Sequence, residues 1–306
     1  MLNRREFVLQ TAGAILASNL AAKAAEAPVR TPAQRPGAID LGFSLYGAKA
    51  LSLSHALKVC ADAGFRNVEL ALLPGFPTEP KVFSKQQRQE LREDLSRERL
   101  SISALMLGLS LNADDDTHRK NLETLKEGIQ MGHDLLGGTQ PLIETILGGK
   151  PAQWEAIRNT MASRLGDWAS TAHAEGAVLA IKGHVAHAVN HPERLLWLLE
   201  QVNSPAVQVA YDFSHFQLQG LQLEDTLKSL LKHTRFIHIK DAQGDASQFR
   251  FLLPGEGATD YPAYFQLLAS LDYRGPVVVE ISSLIFNQPG YDAEATVRKC
   301  AKTLGL

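Results

Sequence analysis

Short apolar runs alternate with longer amphipathic stretches from residue 39 to the end of the chain. Eight apolar runs have the length and content of buried strands, at 39–47, 67–73, 102–109, 141–148, 178–184, 207–215, 235–242 and 277–283. The stretches between and after them have apolar residues at helical spacing, at 52–63, 84–98, 117–133, 152–175, 192–202, 223–232, 260–271 and 293–303. Alternation of strands and helices predicts a parallel sheet.

Eight strand–helix units in one chain of this length predict an α/β fold, a (β/α)8 TIM barrel that forms a single domain over residues 39–306. A doubly wound open sheet is the alternative. It is less favoured because no glycine-rich phosphate-binding loop follows the first apolar run. Helix signals agree with the barrel, since Ser52 is suited to an N-cap and Gly64 and Gly176 follow two predicted helices.

Residues 1–38 differ in composition from the rest of the chain. A pair of arginines near the N-terminus precedes an apolar stretch that ends at about Ala22 and is followed by small residues. This pattern predicts a twin-arginine signal peptide over 1–27 and a proline-rich linker over 28–38. A membrane anchor would require a longer and more apolar run. We therefore expect export by the twin-arginine translocation machinery, a periplasmic or otherwise exported location, and no membrane contact after cleavage.

Composition narrows the functional class. The chain has 306 residues and a net charge of −2, without a run of like charges, which argues against nucleic-acid binding. Its two cysteines, Cys60 and Cys300, lack the spacing of a metal site. They could be buried thiols, or they could form a disulfide between the first and last helices, which are neighbours in a closed barrel.

Alternation within the strands places polar residues inside the barrel. In VLAIKGH (178–184), Lys182 and His184 share the face opposite Leu179 and Ile181. The same rule points Asp212, His238 and Glu280, on three later strands, into the barrel. We expect these side chains to converge at the C-terminal mouth, where barrel enzymes hold their catalytic residues. Glu69 also points inward.

These residue types can hold a divalent cation. Two carboxylates and an imidazole suit Mn, Co, Zn or Mg, and an open coordination position would let the metal polarise a substrate carbonyl or hydroxyl. Asp212, His238 and Glu280 are therefore candidate metal ligands, with His184 as a further one.

Four segments resemble a known family, namely YDFSHF (211–216), FIHIKDA (236–242), LLPGEGATDY (252–261) and VVVEIS (277–282). From about residue 39 to 304 the chain resembles the sugar phosphate isomerase/epimerase family. Its xylose isomerase-like barrels include ketose 3-epimerases and a branch of apurinic endonucleases. The resemblance implies a metal held by Glu, Asp, His and Glu on strands five to eight. Asp212, His238 and Glu280 match three of these positions, whereas Lys182 replaces the first glutamate.

The lysine has two interpretations. Its ammonium could replace the metal and neutralise Asp212 and Glu280. Alternatively, a metal bound by Asp212, His238, Glu280 and His184 could remain beside Lys182. Like charge and burial would then lower the pKa of Lys182 and make it a general base or a Schiff-base amine.

Four further side chains are candidates for substrate binding. His215 resembles a family histidine that contacts a sugar hydroxyl. Lys240 and Arg250, on or after the seventh strand, could hold a hydroxyl or an anionic group. Glu69 is the fourth candidate.

The expected function is a sugar isomerase or epimerase that abstracts a proton next to a carbonyl of a small unphosphorylated carbohydrate, with Glu280 and Lys182 as catalytic residues. Lyase activity by β-elimination on a keto-sugar or keto-glycoside starts from the same carbanion and is the alternative. A non-catalytic sugar-binding barrel is a third possibility. Apurinic endonuclease activity is disfavoured, because such an enzyme needs more metal-binding histidines and glutamates and a basic face for DNA, and because the expected export argues against it. The protein could form a homo-oligomer.

Overall fold

The computed structural model describes residues 39–306. The predicted signal peptide (1–27) and linker (28–38) lie outside the described residues. Within the described residues, no helix has the length and apolar character needed to cross a membrane.

Ten strands form a closed barrel and a separate hairpin in this part of the chain. They are β1 (Asp40–Ser44), β2 (Asn67–Ala71), β3 (Ser101–Leu107), β4 (Leu142–Ile146), β5 (Val178–Lys182), β6 (Val207–Asp212), β7 (Thr234–Ile239), β8 (Asp241–Gly244), β9 (Phe249–Leu252) and β10 (Pro276–Val279). The barrel order is β1-β10-β7-β6-β5-β4-β3-β2. All of its pairs are parallel, so the carboxyl ends of the eight strands meet at one mouth.

Helices surround the barrel and follow the strands along the chain. They are α1 (Leu53–Asp62), α2 (Lys85–Glu98), α3 (Asp115–Leu136), α4 (Trp154–Ala174), α5 (Pro192–Val202), α6 (Phe213–Gln217), α7 (Leu223–Leu230), α8 (Tyr261–Ser270), α9 (Ser283–Phe286) and α10 (Ala293–Thr303). The predicted TIM barrel is thus confirmed, with every predicted strand and helix present within a few residues of its expected bounds.

The β8–β9 hairpin was not predicted. It inserts between β7 and α8. Gly244, where β8 ends, has a φ of 102°, a backbone conformation that would be strained for a residue with a side chain. At its base, the buried carboxylate of Asp241 accepts the N–H groups of Gly255 (2.9 Å) and Gly257 (2.7 Å) and the hydroxyl of Tyr261 (3.0 Å). Asp241 therefore fastens the hairpin to the loop that leads into α8.

The barrel interior has an apolar layer of mostly small side chains below its polar mouth. This layer consists of Ala104, Ala180, Ala210, Phe236 and Val278, one from each of five strands. The larger apolar core lies outside the barrel, between the strands and the helices. Since side chains two residues apart share a face, each interior residue of β5, β6, β7 and β10 has a polar side chain directly above it.

The two cysteines lie on the neighbouring helices α1 and α10 and are both buried free thiols. Burial raises the pKa of the Cys60 thiol above its ordinary value and that of Cys300 to about 12. The structure therefore keeps both as protonated thiols.

Helix α3 packs closely on the barrel at a glycine. A Cβ on Gly132 would lie 2.7 Å from Cβ of Pro141 and 2.8 Å from Cδ1 of Leu105. Because Pro141 is a rigid ring, the contact cannot be relieved by a side-chain rotation alone. Gly166 in α4 offers a matched control, since a Cβ there would meet nothing within 4 Å.

We predict opposite effects of the same substitution at these two helical positions. Gly132→Ala should lower the free energy of unfolding by about 1–2 kcal/mol, because overpacking outweighs the gain in helix propensity. Gly166→Ala should raise it by up to about 1 kcal/mol. Urea unfolding of both variants measures the difference, and equal gains at both positions would contradict the close packing of α3.

Candidate active site

A cavity of about 210 Å³ opens at the carboxyl ends of the barrel strands. Strands β4, β5, β7 and β10 contribute or precede its charged residues, and the β8–β9 hairpin forms part of its wall. Among the lining side chains are Tyr46, Glu144, Lys182, His184, Lys240 and Glu280. This is the end of the barrel at which the alternation rule placed the polar residues.

Lys182, the last residue of β5, lies at the centre of the buried charges. Its Nζ is 3.0 Å from Oε1 of Glu280 and 3.1 Å from Oε1 of Glu144. The same Nζ is 3.0 Å from Nδ1 of His238. Lys182 is 3% exposed and Glu144 is 1% exposed, so water competes little for these contacts. The ammonium therefore joins strands β4, β5 and β7 to the residue that follows β10.

Lys240 forms a second cationic contact beside the first. Its Nζ donates to Oδ2 of Asp212 and, at 2.5 Å, to Oε2 of Glu280. The two oxygens of Glu280 are thus each bound by a different lysine. The other oxygen of Asp212 accepts the backbone N–H of Ser214 (3.1 Å) and its hydroxyl (2.6 Å), because Asp212 caps the short helix α6.

A hydrogen-bonded chain below the cavity fixes the ring of His238. Its Nε2 lies 2.9 Å from Oε2 of Glu69, which also accepts the hydroxyl of Ser44 at 2.5 Å. Phe236 contacts the ring edge to face, with centroids 4.6 Å apart. Since the ammonium of Lys182 donates to Nδ1, the ring carries its proton on Nε2 and donates it to Glu69.

Three histidines form one wall of the cavity. The ring of His184 packs between those of His187 and His215, at centroid distances of 4.3 and 4.2 Å. Nδ1 of His184 accepts the N–H of Ala186 at 3.2 Å, so the neutral ring carries its proton on Nε2. Burial lowers the pKa of His184, and it lowers the pKa of His215 to about 4. Both rings are therefore neutral at pH 7.

The carboxyl groups have divergent acidities. Burial alone would raise the pKa of Glu280, but the ammonium groups of Lys182 and Lys240 lower it well below its usual range. Burial raises the pKa of Glu144 to about 7, although Lys182 acts in the opposite direction. Burial alone would lower the pKa of Lys182, but Glu144 and Glu280 raise it above its ordinary value. Lys182 is therefore charged, which is the state that the first interpretation of this lysine requires.

The structure brings together most of the residues predicted from the sequence. Asp212, His238, Glu280, Lys182 and Lys240 form one cluster, as the distances above show. Three further predicted residues lie around the cluster: Glu69 lies beneath His238, Nε2 of His215 is 3.4 Å from Oδ2 of Asp212, and His184 lines the cavity wall. Arg250 does not join them, since it is exposed on β9 and binds Gln243 outside the cavity.

Glu144 and Tyr46 are among the side chains that line the cavity and that sequence reasoning missed. Glu144 occupies the inward face of β4, and the alternation that identified Glu69 would also have identified it within PLIETILG (141–148). Tyr46 follows β1 in a 3₁₀ turn and stacks on Phe76 at 5.4 Å. No alternation extends into such a turn, so the sequence held no signal for this ring.

The metal ligands implied by the resemblance can be tested against these contacts. Asp212, His238 and Glu280 offer ligand atoms within 4.8 Å of one another, a group that could hold a divalent metal ion. The same three residues are engaged by the two lysines, Asp212 by Lys240, His238 by Lys182, and Glu280 by both. A divalent metal ion does not fit among these ligand atoms while both ammonium groups bind them.

A closed parallel barrel with polar side chains at the carboxyl ends of its strands is the arrangement of TIM-barrel enzymes. The family model described as Xylose isomerase-like TIM barrel matches residues 57–302. The chain belongs to this family.

Three comparisons give its relation to known proteins. The inosose dehydratase of Mesomycoplasma hyopneumoniae (strain J) is 23% identical over 257 residues, which cover 75% of this chain and 81% of the relative. The crystal structure of the IOLI protein with a bound zinc atom has a TM-score of 0.72 and 20% identity, covering 87% of this chain and 96% of that one. The 3-keto-D-glucoside 4-epimerase YcjR of Escherichia coli has a TM-score of 0.63 and 18% identity, covering 86% and 100%.

We predict that Lys182 and Glu144 are energetically coupled. Lys182→Met leaves Glu144 without its ammonium and Glu280 with only that of Lys240, and it should lower the free energy of unfolding by about 3–5 kcal/mol. The double variant Lys182→Met/Glu144→Gln should lose less than the sum of the single losses, by roughly 0.5–3 kcal/mol. Urea unfolding of the wild type and the three variants tests this, and strictly additive losses would show that the two groups do not interact.

Proposed function

We propose that the protein is a lyase that removes water or an alcohol from a small, unphosphorylated keto-sugar or oxidised cyclic polyol by β-elimination. One observation carries the proposal. Glu144 and Glu280 lie on opposite sides of the barrel, separated by three strands in either direction, with the ammonium of Lys182 between them. Of this pair, burial raises the pKa of Glu144 to about 7, whereas the two lysines lower that of Glu280 well below its usual range.

Glu144 is the proton acceptor. It lines the cavity, and a general base works best when its pKa lies near the operating pH, as that of Glu144 does at about 7. Lys182 holds one of its oxygens and so fixes the direction of the carboxyl group. Glu144 would take the proton from the carbon next to the substrate carbonyl, and the negative charge would then move to the carbonyl oxygen.

Lys240 is placed to stabilise that oxygen. An ammonium has three N–H donors, and Asp212 and Glu280 accept two of those of Lys240. Because Lys240 lines the cavity, its third donor is available to an oxyanion. Lys182 is less suited to this role, since it donates to Glu280 and His238 and forms an ion pair with Glu144.

The contacts of Glu280 favour elimination over epimerisation. Epimerisation requires a second group that returns a proton to the opposite face of the carbanion. Each oxygen of Glu280 accepts from a lysine, so this carboxylate holds no proton to give. In elimination the electron pair instead re-forms the carbonyl, a double bond forms to the β carbon, and the β C–O bond breaks. Glu144 then returns its proton to the leaving oxygen, and an unsaturated ketone remains.

The cavity favours an uncharged ligand with many hydroxyl groups. No arginine lines it within the described residues, and both of its lysines are already bound to carboxylates. A phosphate dianion would therefore find only one free cationic donor, that of Lys240. Nε2–H of His184 offers a neutral donor for a hydroxyl. The similarity to inosose dehydratases supports an oxidised cyclic polyol as the substrate class.

Isomerase or epimerase activity, the expectation from the sequence, begins with the same proton abstraction and stays a prediction. So does the catalytic role of Glu280. A non-catalytic sugar-binding barrel would bind such ligands without exchanging their α protons. The three functions therefore differ in what they do to a keto-sugar dissolved in D2O.

We predict that the full chain converts at least one member of a panel of inososes and 3-keto-glycosides. Proton NMR in D2O should show loss of the α proton together with an unsaturated ketone. Glu144→Gln should lower the rate by about 100- to 10,000-fold, because a positioned acid–base group contributes that much. Arg250→Gln, outside the cavity, is the matched control and should retain the wild-type rate. Exchange that yields only an epimer would establish an epimerase, and binding without exchange would exclude catalysis on that panel.

A further inference from the structure

Lys182 has the surroundings of a bound cation. Its Nζ lies at 3.0–3.1 Å from Glu280 Oε1, His238 Nδ1 and Glu144 Oε1. The ammonium is hydrogen-bonded to Glu280 and His238, and the carboxyl group of Glu144 adds an ion-pair contact. The acceptors come from three different parts of the barrel and are all buried. An exposed lysine that contacted a single carboxylate would not have three buried partners on three sides.

Lys240 supplies the second charge of the same group. It donates to Oδ2 of Asp212, whose Oδ1 accepts from Ser214, and to Oε2 of Glu280, whose Oε1 accepts from Lys182. Every residue of the candidate metal group is therefore engaged by a lysine. A divalent ion among these residues would lie beside two buried ammonium groups, where water screens their repulsion poorly.

We propose that Lys182 is the resident cation of this site, and that its ammonium, together with that of Lys240, takes the place of a divalent metal ion. The proposal differs from the metal site that the family resemblance implies. It is also independent of the proposed reaction, because metal content can be measured without any substrate.

The position of Lys182 leads to a specific expectation for one substitution. Lys182→Glu removes the ammonium and places a carboxylate at the end of β5, next to Ala210 of β6 in the strand register. Position 182 would then join Asp212, His238 and Glu280 as a fourth anionic or imidazole ligand. Carboxylates and imidazole are ligands of Zn²⁺ and Mn²⁺.

The experiment measures metal binding by the full chain, purified without chelators or a histidine tag. Wild type, Lys182→Glu and Lys182→Gln are incubated with ZnCl2 or MnCl2, passed over a desalting column and analysed by elemental mass spectrometry. Isothermal titration of each variant gives the affinity. Circular dichroism establishes that each variant is folded, and Lys182→Gln is the matched control because it removes the charge without adding an anionic ligand.

We expect the wild type to retain no stoichiometric metal and Lys182→Glu to retain about one equivalent. Its affinity should exceed that of Lys182→Gln by at least about 100-fold, since even partners outside the first coordination sphere change metal affinity by roughly 10- to 100-fold. Two results would overturn the proposal. One is wild-type protein that retains about one equivalent of metal, lost in Asp212→Ala. The other is a folded Lys182→Glu protein that binds none. If Lys182→Glu does not fold, the wild-type measurement alone decides.

Discussion

The site depends on one constraint, the compensation of buried negative charge. Glu69, Glu144, Asp212 and Glu280 are carboxyl groups that lie almost completely out of water. A buried carboxylate without a partner would be protonated or would destabilise the fold. Lys182 and Lys240 are the lysines among them, and they determine which carboxyls remain charged. The pKa of Glu280, bound by both, is strongly lowered, whereas burial prevails at Glu144.

The barrel beneath supports this arrangement through its small interior side chains. Three of the five side chains in the layer below the charges are alanines, and the layer contains one ring, that of Phe236, which contacts His238. The ring and Glu69 together hold the imidazole in a fixed orientation. As a result the charged side chains rest on rigid strands, and the cavity above them is lined by groups whose positions the barrel determines.

Much of the fold could be predicted from the sequence because periodicity and strand order determine it. The alternation rule also placed Lys182, Asp212, His238 and Glu280 at one mouth, since strand faces are fixed by a period of two. Which charges contact which could not be predicted. The pairing of Lys182 with Glu144 depends on the radius and stagger of the closed barrel. The pairing of Lys240 with Asp212 and Glu280 depends on the direction of the chain just beyond the end of β7, where strand alternation no longer applies. The signal peptide, the linker and the exported location lie outside the described residues and stay predictions.

The hairpin between β7 and α8 lines the cavity without belonging to the barrel sheet. Phe251 of this hairpin lines the cavity and lies 5.0 Å from Nζ of Lys240, yet no barrel strand pairs with β8 or β9. Asp241 anchors the base of the hairpin, so its remaining residues can change in length and identity without altering the register of the barrel. Descendants of this chain could thus acquire a new substrate range by replacing a single loop, while the buried charges below remain as they are.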